Sequence, residues 1–221
     1  MAGLTFEILF QTGWTPNSGI AVETIPGATA LTSCAALVGA PLSHDFCAIS
    51  LSDLLTPWPV IARRLHAAAA ADFVIALYNP KSGRRAHQIL EAQRLLLAQR
   101  RPDTPVALVH SAYRPGQRTE LCTLELLHQH EIGMSTLVLI GNSQTLVQHG
   151  LMLTPRGYAN KYDLDQGTTI DGEQGGKPLS SGLDGWMQQI RTSDASAAEL
   201  ARRYALPEDY IADVLARLAL D

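Results

Sequence analysis

The strongest constraint on this chain is residues 72 to 78, a nearly continuous apolar run (Asp-Phe-Val-Ile-Ala-Leu-Tyr) stopped abruptly by Asn79-Pro80. A strand with one wet face would alternate polar and apolar residues. This run does not alternate, so it reads as a strand buried on both faces. Such a strand needs covering layers on each side, which in a chain of 221 residues means an α/β architecture. Residues 106 to 110 and 135 to 141 repeat the pattern. Between the first two runs, residues 83 to 100 carry Ile89, Leu90, Leu95, Leu96 and Leu97 among Gln, Arg and Glu, the marks of a long amphipathic helix.

Upstream, Leu4, Ile8, Leu9 and Phe10 give residues 1 to 12 a helical spacing that starts at the first residue with no capping polar group ahead of it. A loop rich in Gly, Pro, Asn and Ser follows at 13 to 19. Residues 20 to 25 then read as a short strand, ended by Pro26-Gly27, with Gly27 permitting the turn into a small-residue helix from about Thr29 to Val38. Residues 46 to 51 are a second short strand, and Thr56-Pro57 opens a helix through Val60, Ile61 and Leu65 to about Ala71. Strands alternating with helices argue for largely parallel pairing in this first part, with a domain boundary near Asp72. Residues 165 to 181 turn to Gly, Thr, Asp, Gln and Ser and read as a linker. Beyond it, residues 195 to 205 and 207 to 220 form a helical pair with Leu200, Ile211, Val214, Leu215 and Leu218 on one face. The expected units are 1–71, 72–164, the linker, and a helical tail over 182–221.

Composition excludes several classes of function. A net charge of -4 with 17% charged residues leaves no broad basic face for a nucleic-acid backbone. A helix-turn-helix reading of the tail meets the same objection, since Arg202, Arg203 and Arg217 are too few to form a basic recognition helix. Cys34, Cys47 and Cys122 are odd in number and lack zinc spacing, so they read as reduced thiols of a cytoplasmic protein with no metal site. No apolar run is long enough to cross a bilayer, and the opening residues lack the basic region of a signal peptide.

Four strand ends carry groups suited to a ligand. Gly27-Ala28-Thr29-Ala30 places small residues and free amides at a helix start, where a carboxylate fits. Asn79 offers a donor and an acceptor at the carboxyl end of a buried strand, where open α/β sheets place their ligands. The segment from His110 to Arg118 crowds ionisable groups after another buried strand, as either a functional loop or a solvated hairpin. Ile140-Gly141-Asn142-Ser143-Gln144-Thr145 ends a fourth. Each is also an ordinary structural joint, and no nucleophile elbow, metal triad or phosphate loop accompanies them. Physics alone stops at a ligand-binding α/β protein.

The wording of these segments goes further. IPGATAL, GAPLSHDFCAISLSDLLTPW, DFVIALYNPKSGRR, RPGQRTELCTLELL and LVLIGNSQT, spread over about residues 1 to 160, resemble the tetrapyrrole methylase family and, within it, the branch that methylates precorrin-3B at C-17. The resemblance implies S-adenosylmethionine-dependent C-methylation of a tetrapyrrole with ring contraction, on the route to cobalamin. It implies a homodimer of two-domain α/β chains with the cofactor between the domains, the second domain having a mixed sheet. By position, Thr29, Ala30, Asn79, Ala112, Gly141 and Asn142 would contact the cofactor. His44, Asp45 and His110 are the groups to test for proton transfer, although His44-Asp45 also reads as a turn cap and His110 as a satisfied core histidine. Arg84, Arg85, Arg114 and Arg118 would pair with substrate carboxylates unless they are solvated surface charges. The family's opening GxGPG-type loop and later glycine-aspartate stretch are not found here. The expectation is therefore a truncated N-terminal domain, and weak or absent cofactor binding by this chain alone. The alternative is a catalytically silent tetrapyrrole-binding or dimerisation module.

Overall fold

The computed structural model describes residues 2–83 and 86–219 and divides the chain into two units, 1–155 and 156–221. The first unit opens with α1 (Ala2–Gln11) and continues through α2 (Ala30–Val38), β1 (Gly39–Ala40), β2 (Phe46–Ser50), α3 (Trp58–Ala70), β3 (Val74–Tyr78) and α4 (Gln88–Leu97). There follow β4 (Pro105–His110), β5 (Arg118–Thr123), a 3-10 turn (Leu124–Gln129), β6 (Thr136–Ile140), β7 (Leu146–Gln148) and β8 (Leu151–Leu153).

The main sheet has the order β2-β3-β6-β4-β5. Strands β2 and β3 are parallel, with Phe46 opposite Val74 and Ser50 opposite Tyr78. Strand β6 lies antiparallel to both β3 and β4, and β5 turns back antiparallel on β4. The sheet is therefore mixed. Strands β3 and β4 point the same way, while β6 between them points the other.

The apolar runs do what their composition dictates. Val74 to Leu77 are wholly buried, as are Val106 to Val109. On one face Ala76, Ala107, Val109, Leu137 and Leu139 pack against Cys34, Ala35 and Val38 of α2. On the other, Ile75, Leu77, Val106, Leu108, Val138 and Ile140 pack against Ile61 and Leu65 of α3 and Leu96 of α4. Alternate side chains of each strand thus feed two separate apolar layers, which is why neither run could afford a polar position.

At the end of the sheet where β3 and β4 begin, Arg100 is buried and acts as a staple. Its guanidinium donates to the carbonyls of Phe73 (2.7 Å) and Gly141 (2.9 Å) and pairs with Asp72 at 3.0 Å. Burial pulls its pKa down and Asp72 pushes it back up. The contacts tie the end of α4 to the start of β3 and the end of β6.

Several expectations change. Residues 20–29 form no strand and are exposed throughout; among the described residues no strand pairs with them, and the Ile20 carbonyl accepts from Trp14 Nε1 instead. Gly27 has no left-handed φ, and a Cβ there would meet open space, so that turn does not depend on glycine. Strands β2 and β3 pair within one sheet across the boundary expected near Asp72, and the chain divides near Pro155 instead.

The second unit holds α5 (Leu183–Arg191), α6 (Ala197–Tyr204) and α7 (Glu208–Leu218). Ser196 and Glu199 cap α6 reciprocally, and Ile190, Leu200, Ala201 and Ile211 form a small core. Trp186 meets Tyr204 edge-on at 5.8 Å and stacks on Tyr210 at 6.4 Å. The segment read as a linker is tied down: Thr169 bridges to Tyr162 just before it, and Glu173 accepts from the Ser180 amide at 3.0 Å. Among the described residues, no helix is long and apolar enough to cross a membrane.

The glycines at the two ends of the first unit separate cleanly. A Cβ on Gly141 would sit 2.5 Å from the buried Thr145 side chain, so Gly141→Ala should lower unfolding stability by about 1–3 kcal/mol in urea titrations. Gly27→Ala, with nothing within 4 Å, should stay within about 0.5 kcal/mol of the parent. Equal effects would contradict this account of the two turns.

Candidate functional site

Because β3 and β4 run in the same direction, their carboxyl ends meet at one end of the sheet, and antiparallel β6 begins there. A cleft of about 390 Å³ opens at this end, within the range of small-molecule sites. One wall is the start of α2, with Ala28, Ala30, Ser33 and Cys34. The other is built from Tyr78 and Asn79 after β3, Ala112 and Arg114 after β4, and residues 134–137 entering β6. Small residues on the α2 wall let a ligand approach the backbone closely. Thr29, between two lining residues, is the N-cap of α2, and its hydroxyl accepts from the Thr32 amide at 3.3 Å.

The strand ends here are unusual in conformation. Asn79, Ser111 and Tyr113 all have left-handed φ, at 51°, 46° and 56°. Asparagine tolerates this region, but serine and tyrosine adopt it at a cost, and such residues gather at ligand sites. The loop is held by local bonds: Asn79 donates to Ser50 Oγ at 3.0 Å, Ser111 Oγ to Ser135 Oγ at 3.3 Å, and the Tyr113 amide to Gln117 Oε1 at 2.6 Å. The segment read as either a loop or a hairpin is both: β4 and β5 form the hairpin, and Ala112 and Arg114 at its tip line the cleft.

Beside the cleft, sharing Met134 with it, lies an open trough of about 710 Å³ between Ser52, Asp53 and Leu54 after β2 and Ser82, Gly83 and Gln88 before α4. Among polar lining residues it carries two exposed apolar side chains, Leu54 at 82% and Met134 at 74%. Exposed apolar groups lining a depression mark a recognition surface.

His110 sits beneath this end of the sheet, 5% exposed. Its Nδ1 lies 3.0 Å from the hydroxyl of Thr136, a residue that lines the cleft, and its Nε2 lies 3.3 Å from Glu120 Oε1 without the alignment of a hydrogen bond. Burial first, and the Arg118 charge second, lower the His110 pKa, so the neutral ring is favoured. Glu120 is held below the usual carboxylate range by hydrogen bonds from His130 and Arg118.

The structure thus brings together Thr29, Ala30, Asn79, Ala112 and Arg114, with His110 one hydroxyl away. It does not bring Gly141 and Asn142. They follow β6, whose reversed direction carries its carboxyl end to the opposite edge of the sheet. There Asn142 Oδ1 accepts from Thr145 Oγ1, which also receives the Asn142 amide and meets Thr154 Oγ1 at 2.8 Å, while Ser143 donates to Asp72. That motif is a structural knot. His44 and Asp45 are also displaced: they precede β2, at the starting end of the parallel pair, and His44 Nδ1 accepts from the Asp45 amide as a turn cap. Arg118 is committed to Glu120 and Glu131, at 3.1 and 2.7 Å. Arg84 and Arg85 lie outside the described residues. Ser33, Ser135 and Met134 were missed by sequence reasoning, since none stands in a recognisable motif.

With this geometry in view, comparison with known proteins gives a consistent answer. Residues 10–127 match the family model of Tetrapyrrole (Corrin/Porphyrin) Methylases, and the chain belongs to that family. Within it, the chain is 57% identical over 166 residues to the cobalt-factor III methyltransferase of Priestia megaterium, covering 75% of this chain and 31% of that protein. It is 49% identical over 158 residues to the probable cobalt-factor III C(17)-methyltransferase of Salmonella typhimurium, covering 72% of this chain and 64% of that one. The crystal structure of the methyltransferase CobJ superposes with a TM-score of 0.66 at 35% identity, over 70% of this chain and 64% of that one. The aligned region therefore spans about a third of the first relative's length and just under two thirds of the others'.

The depressed His110 pKa has a measurable consequence. Its folded-state value lies below the ordinary 6.5, so as pH falls through that range the unfolded chain takes up the proton first and stability drops. The urea midpoint should fall between pH 7.5 and 5.5, and His110→Asn should reduce that fall. An equal fall in the variant would show that His110 does not carry it.

Proposed function

We propose that this chain carries S-adenosylmethionine-dependent C-methylation of precorrin-3B, or its cobalt form, at C-17 with ring contraction, in cobalamin biosynthesis. The observation that supports this most directly is the convergence of Ala28, Ala30, Asn79 and Ala112 on one cleft beside a larger, open trough. The names of the relatives, which act on cobalt-factor III, point to the same chemistry.

The residues present fit the cofactor. The start of α2 offers unpaired amides for its carboxylate, Asn79 and the hydroxyls of Ser33 and Ser135 offer partners for its polar groups, and Ala30 and Ala112 leave room for its bulk. Bound S-adenosylmethionine would supply an electrophilic sulfonium methyl. The protein's contribution is then to hold two partners in line and to receive a proton. Asn79, fixed by Ser50, positions the first partner. The trough holds the macrocycle, and Arg114, on the wall of the adjoining cleft, is available to a carboxylate. Neutral His110 accepts the released proton at Nδ1 by way of Thr136 Oγ1.

A second reading, a catalytically silent tetrapyrrole-binding or dimerisation module, is favoured by α1. That helix buries no residue, and Leu4, Ile8 and Phe10 are 60%, 51% and 62% exposed. Covering that face in a homodimer would account for it. The three cysteines are free, in keeping with a cytoplasmic protein.

Titration with S-adenosylhomocysteine, carried to high concentration because weak binding is expected of this chain alone, separates the site from its surroundings. Ala112→Phe should weaken binding at least about tenfold by filling the cleft, and His44→Ala should leave it unchanged. Binding that ignores Ala112→Phe but fails in His44→Ala would overturn the assignment. Transfer of a labelled methyl group to precorrin-3B or its cobalt form supports the enzyme. Binding with no transfer to either supports the silent module.

A further inference from the structure

Where the trough's outer wall meets α4, a separate cavity of about 250 Å³ opens between the start of that helix and the 3-10 turn. Lys81, His87, His128 and His130 stand around it over a floor that includes Ile89 and Leu127, and among the described residues no carboxylate lines it. Lys81 and the imidazoles of His87 and His128 give the cavity hydrogen-bond donors suited to an anion. The segment that supplies Lys81 and His87 also supplies Ser82, Gly83 and Gln88 to the trough, so the two depressions share a wall.

The nearby acids already have partners. Glu120 is taken by Arg118 and His130, and Glu131 by Arg118. Asp53 accepts from Gln88 at 2.8 Å, and Glu91, which shares a shallow hollow with Asp53 and His87, pairs with Arg94 at 2.8 Å. Lys81 and His87 form no ion pair among the described residues. His128 Nδ1 lies 3.3 Å from the Gln93 amide nitrogen, an arrangement that leaves Nε2 as a donor. Glu125 follows Leu124 at the start of the 3-10 turn and is the remaining acid of that element.

We propose that this cavity is a carboxylate subsite, which takes an acidic arm of the ligand lying in the trough. The identity of that ligand as a tetrapyrrole rests on the function proposed above; the subsite itself is a separate claim. A lysine ammonium and imidazole N–H groups are all donors to a carboxylate.

The test uses the full chain and a polycarboxylate porphyrin, uroporphyrin, with its fully amidated counterpart as the neutral control. Binding is followed by quenching of porphyrin fluorescence, with circular dichroism confirming that each variant is folded. Uroporphyrin should bind at least about tenfold more tightly than the amidated porphyrin. His87→Gln combined with His128→Gln, and Lys81→Gln separately, should each weaken uroporphyrin binding about threefold or more and leave the amidated porphyrin unchanged. If uroporphyrin binds but ignores all three substitutions, the subsite is wrong and the tetrapyrrole reading stands. If neither porphyrin binds, both fall together.

Discussion

The organisation of the first unit depends on one arrangement, the insertion of antiparallel β6 between β3 and β4. It lets two apolar strands point the same way while the strand joining them points back. The buried run then has a hydrogen-bonded strand on each side, and both faces of the sheet can be covered by helices. The consequence is polar in the geometric sense. One end of the sheet collects the strand ends after β3 and β4, and the other collects the end of β6 and the starts of β2 and β3.

The two ends have been put to different uses. At the starting end, Arg100 gathers carbonyls from three segments, and Asn142, Thr145 and Thr154 close a buried hydrogen-bond knot behind it. Buried hydrogen-bond networks such as the one joining Asn142, Thr145 and Thr154 fix a single arrangement of the core. At the other end the backbone is held in left-handed conformations at Asn79, Ser111 and Tyr113, small residues leave a cleft, and apolar side chains stand in solvent. Stability is concentrated at one edge, which lets the opposite edge stay open, strained and receptive. Membership of the tetrapyrrole methylases gives that open edge its chemical meaning.

Much of this was legible in the residues. The apolar runs over β3, β4 and β6, the helices from Trp58 and from Gln88, and the last two helices all follow from periodicity and caps. The direction of β6 was not legible, because an apolar run looks the same whichever way its neighbours point. That single unknown misplaced Gly141 and Asn142, whose glycine and amide mimic a ligand turn while serving Thr145. Residues 20 to 25 had strand-like composition but no partner. Helix α5 was not marked out, having only Ile190 buried and Trp186 packed against the small core. His44-Asp45 carried a turn-cap reading alongside a catalytic one, and the Asp45 amide bond to His44 Nδ1 favours the cap.

The central claim is that the cofactor lies at the end of the sheet where β3 and β4 finish. A crystal structure of the chain grown with S-adenosylhomocysteine tests it most directly. The account predicts ligand density between Ala28–Ser33 on one side and Asn79 and Ala112 on the other. Density against Asn142 and Ser143, at the opposite edge, would contradict it.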